Sequence, residues 1–226
     1  MQRCKPLSLL PAQRALGQDI GEFDALLYAG NDGKTGSSYD AMDMKHVLLD
    51  GKHDGRQLRN ALGRFPTGVT VITTCTPAGR LEGLTANSFA ALSLDPALVL
   101  WSINHGSPSV ASFRASGHFA INVLRADQAD LSHRFAARHE HKFEGVAFEP
   151  GIGGSPVLHG ALATFECELA QMIEGGDHLL FIGRVHKLAY GEGEPLIFNA
   201  GKYCTARALT ARSAASDLIG VWSGRG

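Results

Sequence analysis

Two short polar segments, each directly after an apolar strand pattern, carry residue types that could hold a flat, phosphorylated ligand. Residues 85–88 read Thr-Ala-Asn-Ser and lie at the end of a predicted β-strand, and their small side chains leave backbone N–H groups accessible. Residues 102–109 read Ser-Ile-Asn-His-Gly-Ser-Pro-Ser and follow the apolar run 97–101. We therefore expect a planar ligand to lie against the first segment and its phosphate to lie against the second.

A helix is predicted to begin at the end of the second segment, with Ser107 as the N-cap and Pro108 as the first helical residue. A helix N-terminus offers unpaired N–H groups and the positive end of the macrodipole, so a phosphate can bind there without Lys or Arg. Ser-Pro is also ordinary capping chemistry, and residues 85–88 could be an ordinary strand end. Spacing alone leaves both interpretations open.

The histidines suggest two other kinds of chemistry. His139 and His141 are two residues apart, so on a helix they point in different directions, and together with His133 they lack an acidic partner at ligand spacing. We predict no metal site there. His178 directly follows a Gly-Gly-Asp turn, which is the position of a ligand-contacting histidine or of a merely exposed one. The sequence lacks a G-x-G-x-x-G fingerprint after a strand, a P-loop and a G-x-S-x-G elbow.

Composition narrows the class of protein. The 226 residues are enough for one domain with a large core, and 27 glycines imply many tight turns. A net charge of −1 offers no basic surface for nucleic acid or for an anionic membrane. The 4 cysteines form no C-x-x-C pair and the N-terminus carries no export signal, so we expect reduced thiols in a cytoplasmic protein.

The positioning elements follow from hydrophobic periodicity and turn residues, which predict a mainly β domain with flanking helices over residues 55–206. Residues 207–226 form a weakly helical tail. Residues 1–54 form an N-terminal extension, an arm whose apolar clusters 23–28 and 42–49 are expected to dock on the domain or on a dimer partner. The predicted strands cover residues 69–76, 81–91, 98–104, 119–124, 161–173, 178–190 and 196–198, the last as an edge strand, and the predicted helices cover 57–65, 108–116 and a segment with Asp127 as its N-cap.

Several segments taken together resemble the flavin reductase family. They read GRFPTGVTVITT (63–74), GLTANSF (83–89), SLDP (93–96), FAINVL (119–124), GDH (176–178) and IGRV (182–185), and the resemblance covers about residues 56 to 206. It implies an FMN-binding split barrel and the activity of an NAD(P)H-dependent flavin reductase. Such an enzyme passes hydride from NADH or NADPH to FMN or FAD and supplies reduced flavin to a partner monooxygenase.

The resemblance also implies roles for individual residues. His178 would contact the nicotinamide as the catalytic-site residue, and Lys142-Phe143 would supply a cation near the flavin phosphate and a ring over the flavin. The residues implied to bind the flavin are Thr85, Ala86, Asn87, Ser88, Ser102, Ile103, Asn104, His105, Ser107, Ser109, Lys142 and Phe143. Asn199 and Lys202 stand where the family often has His or Arg. A homodimer with the flavin near the subunit interface is expected.

Two alternatives keep the same site. One is an FMN-bound reductase of another acceptor, such as a corrinoid or an iron chelate. The other is a non-catalytic flavin-binding protein. The sequence does not distinguish FMN from FAD, or NADH from NADPH, because these choices depend on a few contacts.

Overall fold

The computed structural model describes residues 44–47, 49, 55–138 and 140–207. The predicted arm (1–54) and the predicted tail (207–226) lie almost entirely outside the described residues, and so does the expected docking of clusters 23–28 and 42–49. None of the described helices is long and apolar enough to cross a membrane.

The described part contains three short α-helices, two 3-10 turns and twelve strands. In chain order they are α1 (Gly55–Leu62), β1 (Thr67–Gly68), β2 (Thr70–Cys75), β3 (Leu81–Ala86), β4 (Ala90–Leu94), β5 (Ala97–Asn104), α2 (Val110–Ser116), β6 (His118–Val123), a 3-10 turn (Ala126–Gln128), α3 (Ala129–Ala136), β7 (Phe148–Pro150), a 3-10 turn (Ile152–Gly154), β8 (Pro156–Leu158), β9 (Ala163–Gly175), β10 (His178–Tyr190), β11 (Leu196–Asn199) and β12 (Lys202–Thr205).

Seven strands form an antiparallel sheet in the order β3-β2-β6-β9-β10-β5-β4. The two edge strands, β3 and β4, are neighbours in the chain and are separated only by residues 87–89. The predicted strand 81–91 is therefore two strands with a corner between them. At this corner the Ser88 hydroxyl donates to the Ser102 carbonyl oxygen over 2.9 Å and accepts from the Ser102 N–H over 3.0 Å. The sheet is thus a barrel split between its two edges.

The core of this barrel is aromatic. The Trp101 ring is fully buried and stacks on Phe181 at a centroid distance of 4.6 Å, with Phe113 at 4.9 Å and Phe119 at 5.7 Å in edge-on contact. Such pairs add about 0.5–1.5 kcal/mol each beyond the area that they bury. Trp101 immediately precedes Ser102, so the core fixes the start of the second polar segment.

A second cluster of buried residues packs α3 against the sheet and includes Val71, Leu124, Phe135 and Leu196. It contains Leu196 of the small sheet β1-β11-β12. The predicted edge strand 196–198 is wrong in one respect, because β11 is the middle strand of that sheet. The sequence reasoning missed β12, which covers its other side.

Both hairpins that the turn residues predicted are present. The β2 and β3 strands pair in register from Thr70 opposite Ala86 to Cys75 opposite Leu81. The long pair β9 and β10 turns at Gly176, whose φ of 66° is the left-handed conformation that glycine adopts without strain. His178 consequently begins β10 at the tip of this hairpin, as predicted.

Two predicted helix starts are wrong. The helix after the second polar segment begins at Val110 with Ser109 as its N-cap, because Asn104 first folds residues 104–107 into a turn. Asp127 is not an N-cap. Its carboxylate instead binds the guanidinium of Arg125, and the Arg125 N–H is satisfied by the Gln128 side chain over 3.0 Å.

Gly183 of β10 provides a test of the packing. A Cβ there would collide with the Phe119 ring and lie 3.0 Å from the Cys167 Cβ, so Gly183→Ala should lower the free energy of unfolding by about 1–3 kcal/mol. Gly191→Ala is the matched control, because its Cβ would meet no atom within 4 Å. Urea unfolding measures both. Equal midpoints for the two variants would contradict this account of the core.

Candidate functional site

A cavity of about 1170 Å³ opens where the first polar segment, the second polar segment and residues 135–138, 140, 142 and 143 approach each other. His178 joins it from the tip of the β9–β10 hairpin. The predicted site residues that line it are Thr85, Ala86, Asn87, Ser88, Ser102, Ile103, Asn104, Ser107, Ser109, Lys142, Phe143 and His178. Residues from β3 and β5 thus meet residues from the end of α3 and from the segment after it.

His105 is the exception, because the structure does not bring its side chain into the cavity lining. The imidazole Nε2 lies 2.9 Å from the Glu174 carboxylate on β9, and the backbone N–H of His105 donates to the Asp177 carbonyl oxygen over 3.0 Å. His105 lies in the turn after β5, and its contact with Glu174 holds the imidazole outside the cavity lining.

The first polar segment presents backbone groups more than hydroxyls. The Thr85 hydroxyl donates to the Ser132 carbonyl oxygen over 2.6 Å, and the Ser88 hydroxyl is occupied by Ser102. The N–H groups of Asn87 and Ser88 come after the last paired residue, Ala86, and donate to no backbone carbonyl within the described part of the chain. These N–H groups are therefore available to a ligand.

The second polar segment uses much of its own hydrogen-bonding capacity. The Asn104 side-chain oxygen accepts the Gly106 N–H and its carbonyl oxygen accepts the Ser107 N–H, each over 2.9 Å. The Ser107 hydroxyl oxygen accepts the Ser109 N–H over 3.4 Å, which leaves the hydroxyl hydrogen for another acceptor. The Ser107 hydroxyl hydrogen is therefore available to an anion at this wall of the cavity.

Arg80 is a cavity residue that the sequence reasoning missed. Its Nη2 donates to the Ser112 hydroxyl over 2.5 Å, so the guanidinium lies against the first turns of α2, and its Nη1 lies 3.7 Å from the Glu82 carboxylate. Arg80 belongs to the turn between β2 and β3, 32 residues before Ser112. A pairing over that separation has no local sequence signal.

Lys142 and Phe143 line the cavity but are also engaged within the protein. The Lys142 ammonium donates to two backbone carbonyls, and burial lowers the pKa of this ammonium below its usual range. The Phe143 ring packs edge-on against Phe135 and Phe148 at centroid distances of 5.0 and 5.7 Å. Both side chains are therefore held by contacts within the protein.

His178 is oriented by its neighbour in the turn. Its Nδ1 lies 2.7 Å from the Asp177 carboxylate, and because a carboxylate only accepts hydrogen bonds, Nδ1 carries the proton. In the neutral ring, Nε2 is then an acceptor. The other Asp177 oxygen lies 3.5 Å from the Asn104 amide nitrogen. Asp177 therefore contacts two residues that line the cavity, His178 and Asn104.

Within the described ranges, no group of three His, Cys, Asp or Glu side chains could hold a metal ion. The cavity combines small side chains, accessible N–H groups, hydroxyls and a single oriented imidazole. This arrangement can bind and orient a ligand that carries its own chemistry.

A family model described as flavin reductase like domain matches residues 62–207. The chain belongs to the flavin reductase family. It is 46% identical over 162 residues to the FMN reductase (NADH) SmoA of Agrobacterium fabrum, and the match covers 72% of this chain and 92% of that protein. The resemblance read from the sequence is thereby confirmed.

Two further members of the family are similar to this chain. The reductase component of the flavin-dependent trigonelline monooxygenase of Acinetobacter baylyi is 40% identical over 157 residues, with 70% of this chain and only 51% of that relative covered. The structure of the NADH:FAD oxidoreductase SgcE6 of Streptomyces globisporus, in complex with NAD and FAD fragments, matches with a TM-score of 0.66, 35% identity and coverage of 74% and 98%. The predicted flavin reductase fold is therefore confirmed.

The contact between His178 and Asp177 predicts a titration. The hydrogen bond from His178 lowers the pKa of the Asp177 carboxyl, so the stability that this contact contributes is present above the carboxyl's unfolded pKa and is lost as pH falls through its folded pKa. His178→Ala should raise the pKa of Asp177, measured by NMR of the carboxyl carbon. His105→Ala is the control and should change it less, because His105 acts on Asp177 only through its charge and contributes the smallest of the effects. Equal changes in the two variants would refute the contact.

Proposed function

We propose that the chain is an NAD(P)H-dependent flavin reductase that transfers hydride from NADH or NADPH to FMN or FAD and supplies the reduced flavin to a partner monooxygenase. One observation carries the proposal: a single cavity combines unpaired backbone N–H groups, hydroxyls and the oriented His178. Its volume of about 1170 Å³ exceeds the roughly 300–1,000 Å³ of a pocket for one small ligand. Two ring systems can therefore be held together.

The residues present fit a flavin. The N–H groups of Asn87 and Ser88 lack backbone partners within the described part of the chain, and a flavin's pyrimidine edge offers acceptors for them. The flavin supplies the electron-accepting ring chemistry when bound. N–H donors at that edge favour negative charge there, and the fixed barrel corner holds them in place without reorganisation.

The phosphate of the flavin is proposed to lie at the second polar segment. The Ser107 hydroxyl hydrogen is available, Ser109 lines the same wall, and Arg80 lies against the adjacent turn of α2. A guanidinium and hydroxyls are suitable partners for phosphate oxygens. We therefore assign to Arg80 the phosphate contact that the family resemblance had implied for Lys142.

His178 is proposed to orient the nicotinamide. Because Nδ1 donates to Asp177, Nε2 is the ring nitrogen left to accept a hydrogen bond from a carboxamide N–H. No proton transfer by a side chain is required for hydride transfer between the two rings. Loss of His178 should therefore slow the reaction without abolishing it.

We also propose that the protein is a cytoplasmic homodimer that serves a flavin-dependent oxygenase. The names of similar proteins support the oxygenase partner. The cysteines in the described part, Cys75, Cys167 and Cys204, are free, which suits a reducing compartment. A dimer is supported by exposed apolar side chains on α1, just after it and on the edge strand β4: Leu58, Leu62, Phe65, Leu92 and Leu94.

The activity is tested by NADH oxidation with and without added FMN or FAD. We expect oxidation that depends on free flavin. His178→Ala should lower kcat/KM for NADH about 2- to 12-fold, the effect of one hydrogen bond of about 0.5–1.5 kcal/mol. His186→Ala is the control, because His186 pairs with Glu168 on the same hairpin and does not line the cavity.

Three other results would each redirect the assignment. Turnover only with a corrinoid or an iron chelate would identify a reductase of another acceptor. Flavin binding without NADH oxidation would identify a flavin-binding protein. Equal losses in the two histidine variants would remove the role of His178.

The dimer is tested by light scattering of the full chain at micromolar concentration. We expect twice the chain mass, and Phe65→Asp should shift the protein toward monomer because this side chain is 76% exposed and apolar. Tyr190→Asp, at a side chain that is 84% exposed at the far end of β10, is the comparison. A monomeric wild-type chain would contradict the proposal.

A further inference from the structure

Three elements meet at the backbone of Gly83. The Lys142 ammonium donates to the Gly83 carbonyl oxygen on β3 over 3.0 Å and to the Phe135 carbonyl oxygen on α3 over 3.1 Å. Lys142 itself lies in the segment that follows α3. One side chain therefore links the strand beneath the cavity, the last turn of the helix and the segment that forms the cavity wall.

The contact with Phe135 satisfies a helix end. The last four carbonyl groups of a helix have no partner within it, and α3 ends at Ala136, so the Phe135 carbonyl is one of these groups. This end also carries the negative pole of the helix dipole, which a nearby cation stabilises. Lys142 thus supplies a cation to a helix end that faces a cavity proposed to take an anionic ligand.

The ammonium is also half-buried. Burial lowers the pKa of Lys142, and the charge of Glu82 opposes that effect. Two of its three donors are used by the two carbonyls. If the ammonium moved to a ligand phosphate, the Gly83 and Phe135 carbonyls would each lose a charged hydrogen-bond donor, and leaving a buried polar group unpaired is costly.

Two aromatic rings also pack against the backbone at Gly83. A Cβ at this position would lie 2.7 Å from the Phe135 ring and 3.1 Å from the Phe143 ring, so both rings contact the strand directly. The two rings are also in edge-on contact with each other at 5.0 Å. The position of the Phe143 ring therefore depends on the same junction that Lys142 holds.

We infer that Lys142 is a positioning residue, which fastens the cavity wall formed by residues 135–138, 140, 142 and 143 to β3 and does not bind the flavin phosphate. The inference rests on the proposed function, because it concerns the same flavin site. It assigns different tasks to two of the basic side chains that line the cavity, Arg80 and Lys142. Lys142 holds the wall through backbone carbonyls, and Arg80 remains the cation that faces a phosphate.

The two tasks are separated by comparing FMN with riboflavin, which has the same ring system and ribityl chain without the phosphate. Binding of each to the full chain is measured by quenching of flavin fluorescence. For Lys142→Met we expect both ligands to bind more weakly by the same factor, about tenfold or more, as for loss of a charged hydrogen bond. For Arg80→Met, the matched control, we expect FMN to bind about tenfold more weakly and riboflavin to be unchanged.

Conservative variants distinguish a loss of the Lys142 contacts from a loss of the fold. Lys142→Arg keeps the charge and the donors and should recover most of the affinity for both ligands. Lys142→Gln keeps neutral donors, and circular dichroism reports whether each variant is folded. If Lys142→Met does not fold, Lys142→Gln decides by the same ratio of FMN to riboflavin affinity.

The outcomes distinguish the inference from the proposed function. A Lys142 variant that loses FMN and keeps riboflavin would make Lys142 a phosphate ligand and overturn the inference, as would unchanged binding of both. A folded wild-type chain that binds neither flavin would overturn the proposed function itself, before any variant is compared.

Discussion

The structure depends on how the seven-stranded sheet ends. Its two edge strands are consecutive in the chain, and residues 87–89 alone span the distance between them, so the sheet must curl until its edges almost meet. The paired hydrogen bonds between Ser88 and Ser102 hold this corner. Residues 87–89 belong to neither edge strand, so their N–H groups do not take part in strand pairing. Two of these residues, Asn87 and Ser88, line the cavity. The same corner therefore closes the barrel and leaves the N–H groups of Asn87 and Ser88 available to a ligand.

The sequence predicted those features that local patterns determine. Alternation and turn residues are sufficient for the β2–β3 and β9–β10 hairpins, and the hairpins deliver residues 85–88 and His178 to their positions. Strand β5 begins with the apolar run 97–101, so the polar residues 102–109 after that run could also be recognised from the sequence. The positions of side chains such as Arg80 and His105 depend on partners distant in sequence, Ser112 and Glu174, and no periodicity encodes those pairings.

The start of α2 shows the same limit at a finer scale. Ser-Pro is a strong capping signal, yet the Asn104 side chain organises the preceding turn and delays the helix to Val110. Local propensity was overridden by a neighbouring side chain. Arg80 and Lys142, two of the basic residues that line the cavity, likewise differ in environment. The Arg80 guanidinium is exposed to solvent, whereas the half-buried Lys142 ammonium donates to two carbonyls.

The contacts of Asp177 join two walls of the cavity. One carboxylate oxygen holds His178, and the other lies beside Asn104, the residue that folds the 104–107 turn. Whatever orders that turn therefore also changes the free energy of ordering the imidazole. Thermodynamic linkage makes such an effect reciprocal, so a ligand at the turn and a ligand at the imidazole must change each other's affinity by the same factor. A two-residue hairpin tip thus couples the position of the His178 imidazole to the conformation of the 104–107 turn.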